Sequence, residues 1–142
     1  MIRNFEEFTD ELNEYERKVL LPIMVECFKK HVGEENAITC GEIISKMTAK
    51  GYQISGVRIR KIVNVIRRYD LVHCLVSSAK GYFVADNIEQ VSDCIDSLQG
   101  REDAIRVIKE ALIAQREVMR KQIEKLLKEQ NSNKVLNCML DE

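Results

Sequence analysis

Arg58, Arg60, Lys61, Asn64, Arg67 and Arg68 crowd into one stretch, and no acid lies between Ser55 and Tyr69. Guanidinium and ammonium groups bind phosphate oxygens, and an exposed Asn amide can pair with an adenine edge. Placed at ~100° per residue, Ile59, Ile62, Val63, Ile66 and Tyr69 share one face. Lys61, Asn64 and Arg68 sit opposite, with Arg60 and Arg67 on the flanks. Ser55 is suited to cap the first turn through its hydroxyl. One side buries and the other is cationic, so the pattern predicts a helix over 55–69 that reads the major groove of double-stranded DNA. Arg58, near the helix start, is expected at a base edge or a phosphate, or else as a solvated or intramolecular salt-bridging arginine. Arg67 and Arg68 lie near the helix end, where backbone phosphates are the expected contacts and where cations also suit a helix C-terminus.

Other chemistries find few residues. The chain has two histidines, His31 and His73, and neither has carboxylate or thiol neighbours at metal-ligand spacing. His73 and Cys74 are adjacent on an expected strand, so their side chains would point to opposite faces. No Gly-rich phosphate loop, Gly-x-Ser-x-Gly or His-Glu-x-x-His occurs. The expectation is a non-enzyme with no metal and no cofactor. Five scattered cysteines without a Cys-x-x-Cys pair read as reduced thiols. No apolar run reaches the ~18 residues of a membrane span, and no basic-then-apolar leader opens the chain, so the expected location is the cytoplasm.

Net charge is −1 over 142 residues, but the charge is segregated. Residues 1–36 hold five Lys/Arg against nine Asp/Glu, residues 37–85 eight against two, and residues 86–142 nine against twelve. A compact basic segment between two acidic ones is the footprint of a polyanion-binding module.

The flanking elements follow from periodicity. Phe5 and Phe8 suggest a short helical lead-in. Asn13 and Glu16 form a capping-box pattern ahead of a helix that runs to about Val32, with Pro22 expected to kink or break it and Gly33 to stop it. Asn36-Ala37-Ile38 suits a brief edge strand. Thr39 and Glu42 form a second capping box, opening a helix with Ile43, Ile44 and Met47 buried and Gly51 closing it. Two short helices joined by a tight glycine turn, the second one basic, make a helix-turn-helix. Leu71–Ser77 and Gly81–Ala85 then read as a β-hairpin around a turn at 77–81. Such a hairpin is the wing of a winged helix-turn-helix, with Ser77, Ser78 and Lys80 at its tip near a phosphate or minor groove.

The phrases Val57-Arg58-Ile59-Arg60-Lys61-Ile62, Asp70-Leu71-Val72 and Lys80-Gly81-Tyr82-Phe83 resemble those of small winged-helix DNA-binding proteins encoded by prophages and mobile elements of gut bacteria. The resemblance covers roughly residues 12–120 and implies a fold more firmly than a role. It brings over no catalytic residues.

Asp86 or Asn87 is placed to cap a further helix, with Ile88, Val91, Cys94, Ile95 and Leu98 on its apolar stripe and a break or bend at Gly100. Residues 101–130 lack Pro and Gly and read as one helix of ~45 Å. Ile105, Ile108, Leu112, Met119 and Leu126 recur at three-four spacing, with Gln115 and Gln122 in the seam. This helix either packs on its own domain or pairs with a second copy, and pairing into a homodimer is the favoured reading. Such a dimer would set two recognition helices in successive grooves, ~34 Å apart. The fold expected is therefore mainly α (α+β): a winged helix-turn-helix domain with its N-terminal helix over 1–86, C-terminal dimerising helices over 87–130 and a frayed tail over 131–142. A transcriptional regulator is the expected role, and a winged-helix protein-interaction module without DNA binding is the alternative.

Overall fold

The order of elements is set by a series of local caps, most of them closed within three or four residues. In the computed structural model, which describes residues 12–140, Asn13 and Glu16 exchange bonds: the Glu16 N–H donates to Asn13 Oδ1 at 2.8 Å and the Asn13 N–H to Glu16 Oε1 at 2.9 Å. The helical lead-in expected around Phe5 and Phe8 lies outside the described residues. A π-helical turn, Glu16–Leu20, leads directly into α1, Leu21–Lys29. Pro22 falls in the first turn of α1, directly after the π-helical turn, so its missing N–H interrupts a helical path that continues on both sides. The kink expected there takes the form of this widened turn, in which the Leu21 N–H reaches back to the Glu16 carbonyl.

After a 3₁₀ turn, Glu34–Asn36, Thr39 opens α2, Cys40–Ala49. Its hydroxyl accepts from the Glu42 N–H at 3.1 Å while the Glu42 carboxylate accepts from the Thr39 N–H. Gly51 ends α2 at φ +84°, and the Tyr52 N–H returns to the Met47 carbonyl at 2.9 Å. Residues 50–55 connect to α3, Gly56–Arg68. The end of α3 is built in the same way around Asp70, at φ +52°, with the Leu71 N–H on the Ile66 carbonyl at 3.0 Å. Aspartate is among the few residues that adopt this left-handed backbone readily.

The sheet has two antiparallel strands, β1 Leu75–Ser78 and β2 Gly81–Val84, with Ser77 opposite Tyr82. It is shorter than expected, because residues 71–74 form turns and Cys74 sits at φ +59°. His73 and Cys74 are therefore off the strand, and His73 Nδ1 meets the Asp70 carboxylate at 3.0 Å instead. The edge strand expected at 36–38 reduces to one residue: Ile38 exchanges both backbone bonds with Tyr82 at 2.8 Å.

A core of Leu20, Met24, Phe28, Ile38, Ile43, Met47, Ile59, Ile62, Val63 and Ile66 joins α1, α2 and α3. Phe28 meets the Tyr82 ring edge-on at 5.8 Å. A smaller cluster packs Val76 and Phe83 against Cys94 and Val91. Tyr69, expected on the buried face, is 64% exposed because the helix ends one residue before it.

Asn87 opens α4, Ile88–Leu140, accepting from the Gln90 N–H at 2.9 Å. The helix passes through Gly100, the expected break, and through Asn131, the expected start of a frayed tail. A mid-helix glycine costs only about 1 kcal/mol, which neighbours of good propensity offset. The chain divides between Asp96 and Ser97 into two compact units, and the second holds helix alone among its described residues. The whole is mainly helical with one small antiparallel sheet and a long C-terminal helix. Among the described residues no helix is long and apolar enough to cross a membrane.

Candidate nucleic-acid interface

The basic stretch of the sequence folds as α3, and its cations separate into two groups. Those at the border of the apolar stripe turn inward. Arg58 clasps Glu16 from the opening turn with two N–H groups, Nε to Oε2 and a terminal nitrogen to Oε1. Glu16 is 2% exposed. Burial pushes its carboxyl upward, but the Arg58 guanidinium, the Asn13 side of the capping box and the charges of Arg58 and Lys61 outweigh this and hold it below its ordinary 4.5. Lys61 is half-buried within that field rather than fully on the outer face. Arg58 is correspondingly raised by its bond to Glu16.

Arg67 turns inward at the other end of the helix. Its Nε donates to the Leu75 carbonyl at 2.9 Å, and a terminal nitrogen donates to Ser77 Oγ at 3.2 Å and approaches Cys94 Sγ at 4.0 Å. It ties α3 to β1 and to the start of α4. Arg58 and Arg67 are therefore structural ion-pair and hydrogen-bonding residues in this fold.

Arg60, Asn64 and Arg68 are exposed and recur at helical spacing on the outer stripe of α3, with Val57 at its start. The Arg68 guanidinium lies over the Tyr69 ring at 5.6 Å from its centroid. Burial pushes the Tyr82 hydroxyl up, Cys40 adds to this, and the charges of Arg67 and Arg60 oppose it. Arg60 thus acts electrostatically on the Tyr82 hydroxyl of β2. Ser55 caps α3, its Oγ accepting from the Arg58 N–H at 3.4 Å. Ser78 Oγ accepts from the Lys80 N–H at 3.1 Å, and Lys80 Nζ lies 3.7 Å from the Glu34 carboxylate with both side chains well exposed.

Of the ten residues singled out in the sequence, Arg60, Asn64 and Arg68 share the outer stripe, Ser78 and Lys80 stand at the hairpin turn, Ser77 lies within β1 opposite Tyr82 and accepts from Arg67 instead of standing at the tip, and Ser55, Arg58, Lys61 and Arg67 are engaged within the fold. Sequence reasoning missed Tyr69 and Leu71, both exposed just beyond the helix. Asp70, a residue tolerant of left-handed backbone, was the signal that α3 stops before them. Among the described residues no three His, Cys, Asp or Glu side chains converge as a metal-ligand group, and the five cysteines are free thiols.

No family model, curated protein or solved structure matches the chain.

Proposed function

We propose that the chain is a double-stranded DNA-binding protein of the winged helix-turn-helix kind, acting in transcription regulation as a homodimer held by the 101–130 part of α4. The observation that carries this reading is the outer stripe of α3. Arg60, Asn64 and Arg68 stand exposed on a helix with five Lys/Arg and no acid, which follows α2 after a short connection. In this reading α3 enters the major groove, Asn64 meets a base edge and the two arginines meet phosphates or guanine. The hairpin turn with Ser78 and Lys80 serves as a short wing on the backbone. The pair between Lys80 and Glu34 is exposed and weak, so a phosphate can displace it. The phrases that resemble winged-helix proteins of prophages and mobile elements support the same reading.

The test is fluorescence anisotropy with a mixed duplex pool, titrated from low to moderate salt. The variant Arg60→Ala/Asn64→Ala/Arg68→Ala is expected to lose binding while its circular dichroism spectrum stays unchanged. Retained binding by that variant would sink the assignment. One observation favours a second reading: Val57, Tyr69 and Leu71 are exposed beside the same stripe. Apolar and aromatic anchors of that kind suit a protein partner. Absence of DNA binding by the wild type at low salt would select this protein-interaction module instead.

A further inference from the structure

The apolar residues of the second unit have nothing against them among the described residues of that unit. Ile105, Ile108, Leu112, Met119, Ile123 and Leu126 are between 51% and 66% exposed. At ~100° per residue all six fall within a sector of about 60°, a seam narrow enough for one partner helix. Their spacing is three, four, seven, four, three, which reads the same from either end. The point of symmetry lies between Gln115 and Arg116.

We infer that α4 pairs with α4 of a second copy in antiparallel fashion, with the two-fold axis between Gln115 and Arg116. Ile105 then faces the partner's Leu126, Ile108 the partner's Ile123 and Leu112 the partner's Met119. An isologous interface of this kind closes on itself. A parallel pair would also match the six apolar layers, so charge decides the direction. Residues 88–103 hold Arg101 against Glu89, Asp93, Asp96, Glu102 and Asp103, whereas residues 104–140 hold eight Lys/Arg against four Glu. Parallel pairing lays the acidic end along itself. Antiparallel pairing in this register sets it along the partner's residues 128–142, where Lys128 and Lys134 stand against Glu129, Asp141 and Glu142, so a net −1 rather than −4 lies opposite it and Asp103 comes level with the partner's Lys128; like charges set opposite one another are what specific pairings avoid. Polar Gln115 and Arg116 at the centre cost stability and fix the register. In this arrangement the two Ser97 residues stand about 55 Å apart at ~1.5 Å per residue, so this helix does not itself set the ~34 Å spacing of one DNA turn.

The inference rests on the two-copy reading above, and the experiment separates the two. Ile105→Cys and Leu126→Cys are made singly in a Cys138→Ser background, which is run as the blank. Each is oxidised alone and as a mixture. The expected result is a disulfide-linked dimer from the mixture and little from either variant alone. Self-linking of the Ile105→Cys variant would overturn the antiparallel direction, and a chain of two-copy mass that forms no mixed product would overturn the register. Sedimentation equilibrium of the wild type at tens of micromolar checks the pairing itself, and a single-chain mass there would remove the homodimer along with its direction.

Discussion

Arg58 and Arg60 are separated by one residue and do different work, and the difference is measurable. Arg58 closes on a carboxylate that is almost fully buried. Removing one member of such a pair leaves an unmatched charge in the interior, which costs ~3–5 kcal/mol when both partners are buried. Arg58 remains about a third exposed, so Arg58→Ala is expected to cost nearer ~2–4 kcal/mol in urea unfolding. Arg60→Ala should stay within ~0.5 kcal/mol and weaken DNA binding instead. The pH dependence follows from Glu16, whose folded value is held below 4.5. Its contribution is present in full above 4.5 and is lost as pH falls through the lower folded value. Wild type should therefore lose stability in that acid window more steeply than Glu16→Gln. Equal slopes for the two would show that the Glu16 carboxylate contributes no such linkage.

At the scale of the element, what was legible in the sequence was whatever closes locally. The boxes at Asn13/Glu16 and Thr39/Glu42, the Ser55 cap and the apolar stripe of α3 involve partners three or four residues apart, so residue type and spacing suffice. The inward turn of Arg58 and Arg67 was not legible. On the helical wheel both lie ~90° from the centre of the apolar face, where the neighbour decides which way a side chain folds. Those neighbours are Glu16, 42 residues away, and the Leu75–Ser77 strand that the hairpin brings back. A different long-range contact, with Ile38, fixes Gly81. A Cβ there would stand 2.4 Å from the Ile38 carbonyl oxygen, and φ is +124°. Gly81→Ala is therefore expected to cost at least ~2 kcal/mol, read as a lowered urea midpoint, because both the strained backbone and the Ile38–Tyr82 bridge are affected. An unchanged midpoint would mean that this bridge is not part of the folded chain.

For the molecule as a whole the decisive quantity is the salt dependence of binding, since net charge of −1 gives no general attraction to a polyanion. Any affinity must come from local placement of the +6 carried by residues 37–85, and the fold uses part of that charge internally. Arg58 and Arg67 are occupied, and Lys61 is half-buried beside Glu16. On the proposed DNA-binding reading, the exposed side chains of Arg60, Arg68 and Lys80 are the phosphate-facing set of each chain. Each phosphate neutralised contributes about −0.9 to the slope of log affinity against log salt. Three contacts predict a slope of about −3 per chain engaged, with Arg60→Ala reducing its magnitude by about one. A slope well beyond this would mean that Arg58, Arg67 or Lys61 is released to the DNA, and Arg58→Ala would then alter the slope as well as the stability. A slope near zero would remove phosphate contact as the source of affinity. The exposed Val57, Tyr69 and Leu71 would then define the surface to test with protein partners.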